Sequence, residues 1–286
     1  MNGATKILRE NFMFKNYISF SIIGFILTTV LSLAGSIAAQ MNAPNDTKLT
    51  EVERREANEI ATQFTIRFAK TKDIAPLIKD HYWDDFIERE INEGLKSLKD
   101  PEEDKWIAPF ISCQAQLLKE GNKKDLQEFY IASQNFSLSQ MLFITGLNKN
   151  ADLDAVIKKM FSPRLKGVFG KNPNLADLAN PDESGKSKPI SSLKEMRNAI
   201  DTLKRGTKLF NEENKIFIPE TKLRNLCKAF QTGSLSYTTV EVTNEDYYGL
   251  PKGTRVITVV TPLMLALKLA EKDNKLKIFA TIPYAE

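Results

Sequence analysis

Apolar positions along this chain follow two periods. From Thr50 to Phe230 they recur every three to four residues, as on amphipathic helices, and beyond Gly233 they alternate, as on strands. Thr50-Glu-Val-Glu53 predicts a capping box, and the helix it opens gathers Ala57, Ile60, Ala61, Phe64 and Phe68 on one face, opposite Glu53, Arg54, Glu56, Glu59 and Arg67. Asp73 caps a second segment, with Pro76 in its first turn, whose stripe of Trp83, Phe86, Ile87 and Ile91 runs to about Leu98 and breaks at Asp100-Pro101. A third stripe (Trp106, Phe110, Cys113, Leu117) ends at Gly121-Asn122, and a fourth runs from Lys124 to Thr145 through Leu126, Phe129, Tyr130, Phe136 and Met141.

Between 162 and 191 the period fails. Pro163, Pro173, Pro181 and Pro189, with Gly167, Gly170 and Gly185, predict a long irregular connection, with Asn180 to Lys188 its disordered part. Helical spacing returns after a second capping box, Ser192-Leu-Lys-Glu195, with Leu193, Met196, Ile200, Leu203 and Phe210 on one face. Pro219-Glu220 opens a last helix carrying Leu223, Leu226, Cys227 and Phe230, which Gly233 ends.

Three strands are predicted after Gly233: Leu235–Thr243, Thr254–Ala270 and Lys275–Pro283. In the second, odd positions from Ile257 to Leu269 are apolar except Thr261, which implies one buried face, and Pro262 implies a bend, bulge or edge. Lys272-Asp-Asn-Lys275 joins strands two and three as a tight antiparallel hairpin. The expected fold class is α+β: about five to seven amphipathic helices followed by a C-terminal three-stranded antiparallel β-meander over 235–283, in one domain spanning 50–286. No repeat at solenoid periods is present. This layout, over 233–286 and 50–90, loosely resembles the nuclear-transport-factor-2-like superfamily and the cystatin-like arrangement. The resemblance implies a bent sheet wrapped around helices and a pocket, and it carries no functional residue.

Charge and composition change the picture at the N-terminus. Tyr17 to Ala39 holds no charged side chain, follows Lys6, Arg9 and Lys15, and closes on small residues before Gln40. Residues 1–39 are therefore expected to be a signal peptide cleaved near Ala38–Gln40, or an N-terminal transmembrane anchor (apolar 17–39) holding the C-terminal domain outside as a single-pass protein. Residues 40–49 form a spacer. If Met13 is the true start, the leader has the short basic region of a signal peptide. Neither a lipoprotein cysteine nor a twin-arginine pair accompanies it. The chain of 286 residues is 42% hydrophobic and 27% charged, which excludes disorder along its whole length. Its formal charge of +4 falls to +2 without residues 1–39, and the remaining bases are interleaved with acids, so nucleic acid is not an expected partner.

Candidate chemistry is sparse. The one histidine, His81, lies in Asp80-His-Tyr-Trp-Asp-Asp85, where helical spacing would let His81, Asp84 and Asp85 approach a divalent metal; a solvated acidic face beside a core Trp83 is the stronger reading. No G-x-S-x-G elbow accompanies His81, and carboxylate pairs leave no mark at sequence level. Gly185-Lys186-Ser187 lacks the earlier glycine and preceding strand of a phosphate loop. Cys113 and Cys227 are equally readable as a disulfide or as buried thiols, and Asn45 and Asn135 head glycosylation sequons. Tyr247 and Tyr248, in the long connection after strand one, suit either a contact surface or a fold-back onto the domain. The expected function is an exported or membrane-anchored bacterial envelope protein with a non-catalytic binding or interaction domain. No cofactor or catalytic residue is expected. Its expected partners are the membrane through 17–39 if uncleaved, and an unknown protein or small apolar ligand. The alternative is an extracytoplasmic carboxylate-based or metal-assisted hydrolase.

Overall fold

A computed structural model of the chain describes residues 49–98, 107–147, 156, 160–179, 187–232, 238–243 and 248–283. Helix α1, Glu51–Thr71, starts at the expected box: Thr50 N donates to Glu53 Oε2 (2.8 Å) and Glu53 N to Thr50 Oγ1 (3.2 Å). Ala57, Ala61, Phe64 and Phe68 are buried, and the helix ends at Lys72 in a left-handed conformation (φ 55°). The continuous stripe expected from Asp73 to Leu98 is two helices, α2 (Ala75–His81) and α3 (Phe86–Ser97). The break has a tertiary cause: extended Tyr82 pairs with Ile278 of the sheet, and Trp83 N donates to Ile278 O (3.1 Å). Helix α4 (Ala108–Lys119) stops at Gly121 (φ 83°), where Asn122 N reaches back to Leu117 O (2.9 Å), and α5 follows over Lys123–Gly146.

The connection expected to be irregular contains helix α6, Pro163–Phe169, because Pro163 falls in the first turn, where no N–H is needed, and Ser162 Oγ accepts from Leu165 N (3.1 Å). Buried polar side chains order the chain beyond α6. Asn172 Nδ2 donates to Thr202 Oγ1 (3.0 Å), Asn174 Nδ2 to Lys188 O (3.0 Å), and Asp177 and Ser187 exchange two backbone-to-side-chain bonds. Most of the segment expected to be disordered, 180–186, lies outside the described residues. Helices α7 (Leu193–Asn214) and α8 (Glu220–Thr232) complete the helical part, with α7 packed along α5 and against α6, and α8 on α1. In the second predicted box only half forms: Ser192 Oγ accepts from Glu195 N (3.3 Å), but the Glu195 carboxylate turns to Ser191 N (2.7 Å).

The sheet has four strands instead of three, β1 (Thr238–Val242), β2 (Arg255–Val260), β3 (Leu265–Lys272) and β4 (Lys275–Pro283), in a simple antiparallel meander. Pro262 explains the difference. It takes the second position of a turn in which Met264 N donates to Thr261 O (3.0 Å), and left-handed Met264 (φ 54°) closes a three-residue hairpin loop. The register Ile257↔Leu269 and Val259↔Leu267 pairs odd positions with odd positions, so the expected buried face survives the turn. At Asp273-Asn274 both residues take positive φ (54° and 58°), the geometry of the expected tight hairpin. One sheet face joins the helices in the main core through Ile257, Val259, Leu265, Leu267, Leu269 and Ile278. A register shift between Lys268 and Leu269 leaves Phe279 as an extra residue, and its ring joins Tyr248, Leu250 and Trp83 in a separate cluster.

No helix among the described residues is long and apolar enough to cross a membrane. That finding corrects the expectation of a transmembrane helix and a membrane location. Residues 17–39, on which it rested, lie outside the described residues, and membrane attachment forms no part of the proposed function.

Candidate functional site

Helix α7 is apolar where it meets α5, and its next face carries Lys204, Thr207, Lys208, Asn211 and Glu212 at helical spacing. Across from this stripe stand Ala132 and Asn135 of α5, and the end of α1 closes the third side with Thr71 and Lys72. The three walls border an open cleft of about 480 Å³, a volume within the roughly 300–1,000 Å³ range of small-molecule sites.

Two of its walls are locked by hydrogen bonds. Asn135 Oδ1 accepts from Ile74 N (2.8 Å), and its Nδ2 donates to Asp73 Oδ1 (2.9 Å), which pins the start of α2 to α5. Both ends of the Asn135 amide are thus held, which disfavours the sequon reading; Asn45 lies outside the described residues. Thr207 Oγ1 donates to Leu203 O (2.8 Å). Lys72 Nζ donates to Ala69 O, and burial pulls its pKa below the ordinary lysine value. Lys204 and Lys208 form loose ion pairs with Glu128 (3.6 Å) and Glu212 (4.0 Å). Asn211 Oδ1 is sealed from solvent and has no hydrogen-bond partner among the described residues. Lys72, Lys204 and Lys208 thus share the lining of the cleft with one carboxylate-bearing residue, Glu212.

The sequence-predicted residues lie elsewhere and do not converge. His81 Nε2 lies 3.2 Å from Arg67 Nη1, whose N–H it accepts, and burial together with the Arg67 charge lowers its pKa, so the ring is neutral with its lone pair occupied. Arg67 Nη2 also donates to Asp80 Oδ2 (2.6 Å). Burial opposes ionisation of Asp85, but the hydrogen bond and charge of Arg89, 3.2 Å away, outweigh it and hold the carboxyl below its ordinary range. Asp84 is exposed. Among the described residues no group of three or more His, Cys, Asp or Glu could hold a metal ion.

Tyr248, read from sequence as either a contact surface or a fold-back, folds back onto the domain and is buried (1% exposed). Its ring packs edge-on to Phe279 (5.6 Å), and its carbonyl accepts from Arg89 Nη1 (2.6 Å). Tyr247 lies outside the described residues. The same Arg89 stacks on Trp83 (4.5 Å), with Lys272 Nζ 4.9 Å from that ring. This cationic and aromatic cluster fastens the β1–β2 connection to the start of α3. Cys113 and Cys227 are both free thiols, and burial raises the pKa of each.

One buried acid escaped the sequence reading. Glu90 is buried between α3 and β4, beside the Tyr130 phenol, and its Oε1 accepts only a long bond from Thr281 N (3.3 Å). Burial pushes its pKa up to about 8, so it is mainly protonated at neutral pH. Tyr130 and Thr281 share a 2.6 Å hydroxyl contact beside it. Glu90 does not line the cleft, and the nearby Glu93 charge raises its pKa further. The signal for its burial was present, since Phe86, Ile87, Glu90, Ile91 and Gly94 form one buried stripe.

No family model matches the chain, and neither curated proteins nor solved structures match it. Function is therefore read from the site itself.

Proposed function

We propose that the chain is an exported, non-catalytic binding protein whose ligand site is the cleft between α1, α5 and α7. The lining of that cleft carries the reading: lysines, amides and threonines surround it, and Glu212 is its one carboxylate. A carboxylate hydrolase needs two acids facing the scissile bond. The His81, Asp84 and Asp85 group offers no alternative centre, because His81 and Asp85 are committed to Arg67 and Arg89. Apolar atoms make up most of the cleft's accessible surface, which suits the small apolar ligand expected from sequence, with a few polar groups to orient it. Export rests on the uncharged Tyr17–Ala39 segment behind three bases and on its small-residue ending, which suit a leader removed near Ala38–Gln40.

Two measurements test the proposal. Native mass spectrometry of the purified protein should show a small-molecule adduct that is lost in Thr71→Trp, a substitution at an exposed position that fills the cleft. An adduct unaffected by Thr71→Trp, or none at all, contradicts the cleft as the site. N-terminal sequencing of protein from the extracytoplasmic fraction should begin near Gln40; recovery only from the cytoplasm contradicts export.

A further inference from the structure

We propose that Glu90 is a proton-controlled latch on the edge of the sheet: while neutral it holds α3 against β4, and loss of its proton lets α3 swing away about the non-helical joint at residues 82–85. The sheet runs in the order β1-β2-β3-β4, so among the described residues no strand pairs with the far side of β4. The α2–α3 region takes that place. Tyr82 bridges Ile278, Trp83 N donates to Ile278 O (3.1 Å), and Thr281 N donates to Glu90 Oε1 (3.3 Å). Of these contacts the first two belong to the joint, and only that of Glu90 comes from α3 itself.

The groups around Glu90 give a negative charge no support. Glu93 on the same helix repels it. The joint presents Tyr82 and α5 presents Tyr130, and burial raises the pKa of both phenols, so each is neutral. From β4 come the Thr281 N–H and a hydroxyl already shared with Tyr130 (2.6 Å). Glu90 Oε2 is sealed from solvent and has no hydrogen-bond partner among the described residues. The adjacent cation, Arg89, is engaged with Asp85 (3.2 Å) and the Tyr248 carbonyl (2.6 Å). Movement of α3 away from β4 returns the carboxylate to water. Burial of Phe86, Ile87 and Ile91 keeps the closed state dominant, whereas the half-exposed Lys123–Glu88 pair to α5 adds little.

Between the ordinary value of 4.5 and the buried value of about 8, each opening releases the proton of Glu90. The open fraction therefore rises about tenfold per pH unit across that range and levels off above it. What opening uncovers is a bare strand edge, the surface to which a further strand can add.

Hydrogen–deuterium exchange of the full chain from about pH 5.5 to 9, with each rate divided by the intrinsic rate at that pH, tests the latch. Amides of α3 should lose protection about tenfold per pH unit up to about 8, and should remain at least tenfold less protected than those of β2 and β3. In Glu90→Gln, which keeps an acceptor for Thr281 N without a charge, protection of α3 should not depend on pH. Native α3 protection that is constant with pH overturns the latch. Protection equal to that of β2 and β3 at every pH means that α3 opens only with the whole domain, and it overturns the latch without recourse to a variant. A pH slope that persists in Glu90→Gln assigns the proton to another group and overturns the role of Glu90.

Discussion

Replacing Glu90 by Gln removes an acid whose ionisation the fold opposes. The folded carboxyl titrates at about 8 against an ordinary value of 4.5. Between those values the folded state binds more protons than the unfolded chain, so stability falls as pH rises from 4.5 and levels off above about 8. Each unit of difference corresponds to about 1.4 kcal/mol, which makes the full loss roughly 4–5 kcal/mol and the loss at pH 7 roughly 3 kcal/mol. Gln keeps the acceptor that Thr281 N uses and carries no charge, so it lacks this loss. Urea unfolding followed by tryptophan fluorescence from pH 5 to 9 is the assay. Glu90→Gln should match the native chain near pH 5 and exceed it by about 2–4 kcal/mol at pH 8. The difference between the two curves isolates Glu90 from His81, whose lowered pKa makes stability rise with pH up to its ordinary value of 6.5. Parallel curves, or a variant less stable at pH 8, would refute the buried-acid argument.

Other substitutions test the packing. In Gly206→Ala the new Cβ would lie 2.4 Å from Phe169 Cζ and 2.9 Å from Cε2, so overpacking of about 1–3 kcal/mol should outweigh the gain of up to about 1 kcal/mol in helix propensity. Calorimetry should show a lowered melting temperature that Phe169→Leu in the same chain partly restores; a raised one contradicts this packing. Gly249 holds φ 67° with Arg89 Nη1 3.2 Å from where a Cβ would stand. Gly249→Ala should therefore speed amide exchange at Leu250 and Val256, and unchanged exchange would separate Arg89 from the anchoring of that connection. Mass spectrometry after denaturing, non-reducing alkylation should find two modified cysteines, with Cys227 protected in the native state; a bridged peptide contradicts two free thiols.

Much of the fold was legible because burial follows period. The stripes of α1, α5 and α7 and the odd face of β2 and β3 are the positions that enter the core. What escaped depends on distant partners. Tyr82 leaves the helical path to pair with Ile278, nearly two hundred residues away, and Pro262 reads equally as a bend or a turn until Val260 meets Ala266. The helical spacing of α7 carries no sign that Lys204 and Lys208 share a cleft with Thr71 and Asn135 of other helices. Tyr248 shows the converse: an amphipathic side chain in a long connection can face water or core, and Arg89 and Phe279 decide for the core.

The most direct test of a non-catalytic cleft is hydrogen–deuterium exchange of the purified protein with and without its co-purified adduct, followed by mass analysis of the molecule released. Protection confined to Thr71–Lys72, Asn135 and Lys204–Glu212, with the molecule released at unchanged mass after incubation, is expected. Protection centred on His81 to Asp85 would contradict the site, and conversion of the molecule on incubation would contradict its lack of catalysis.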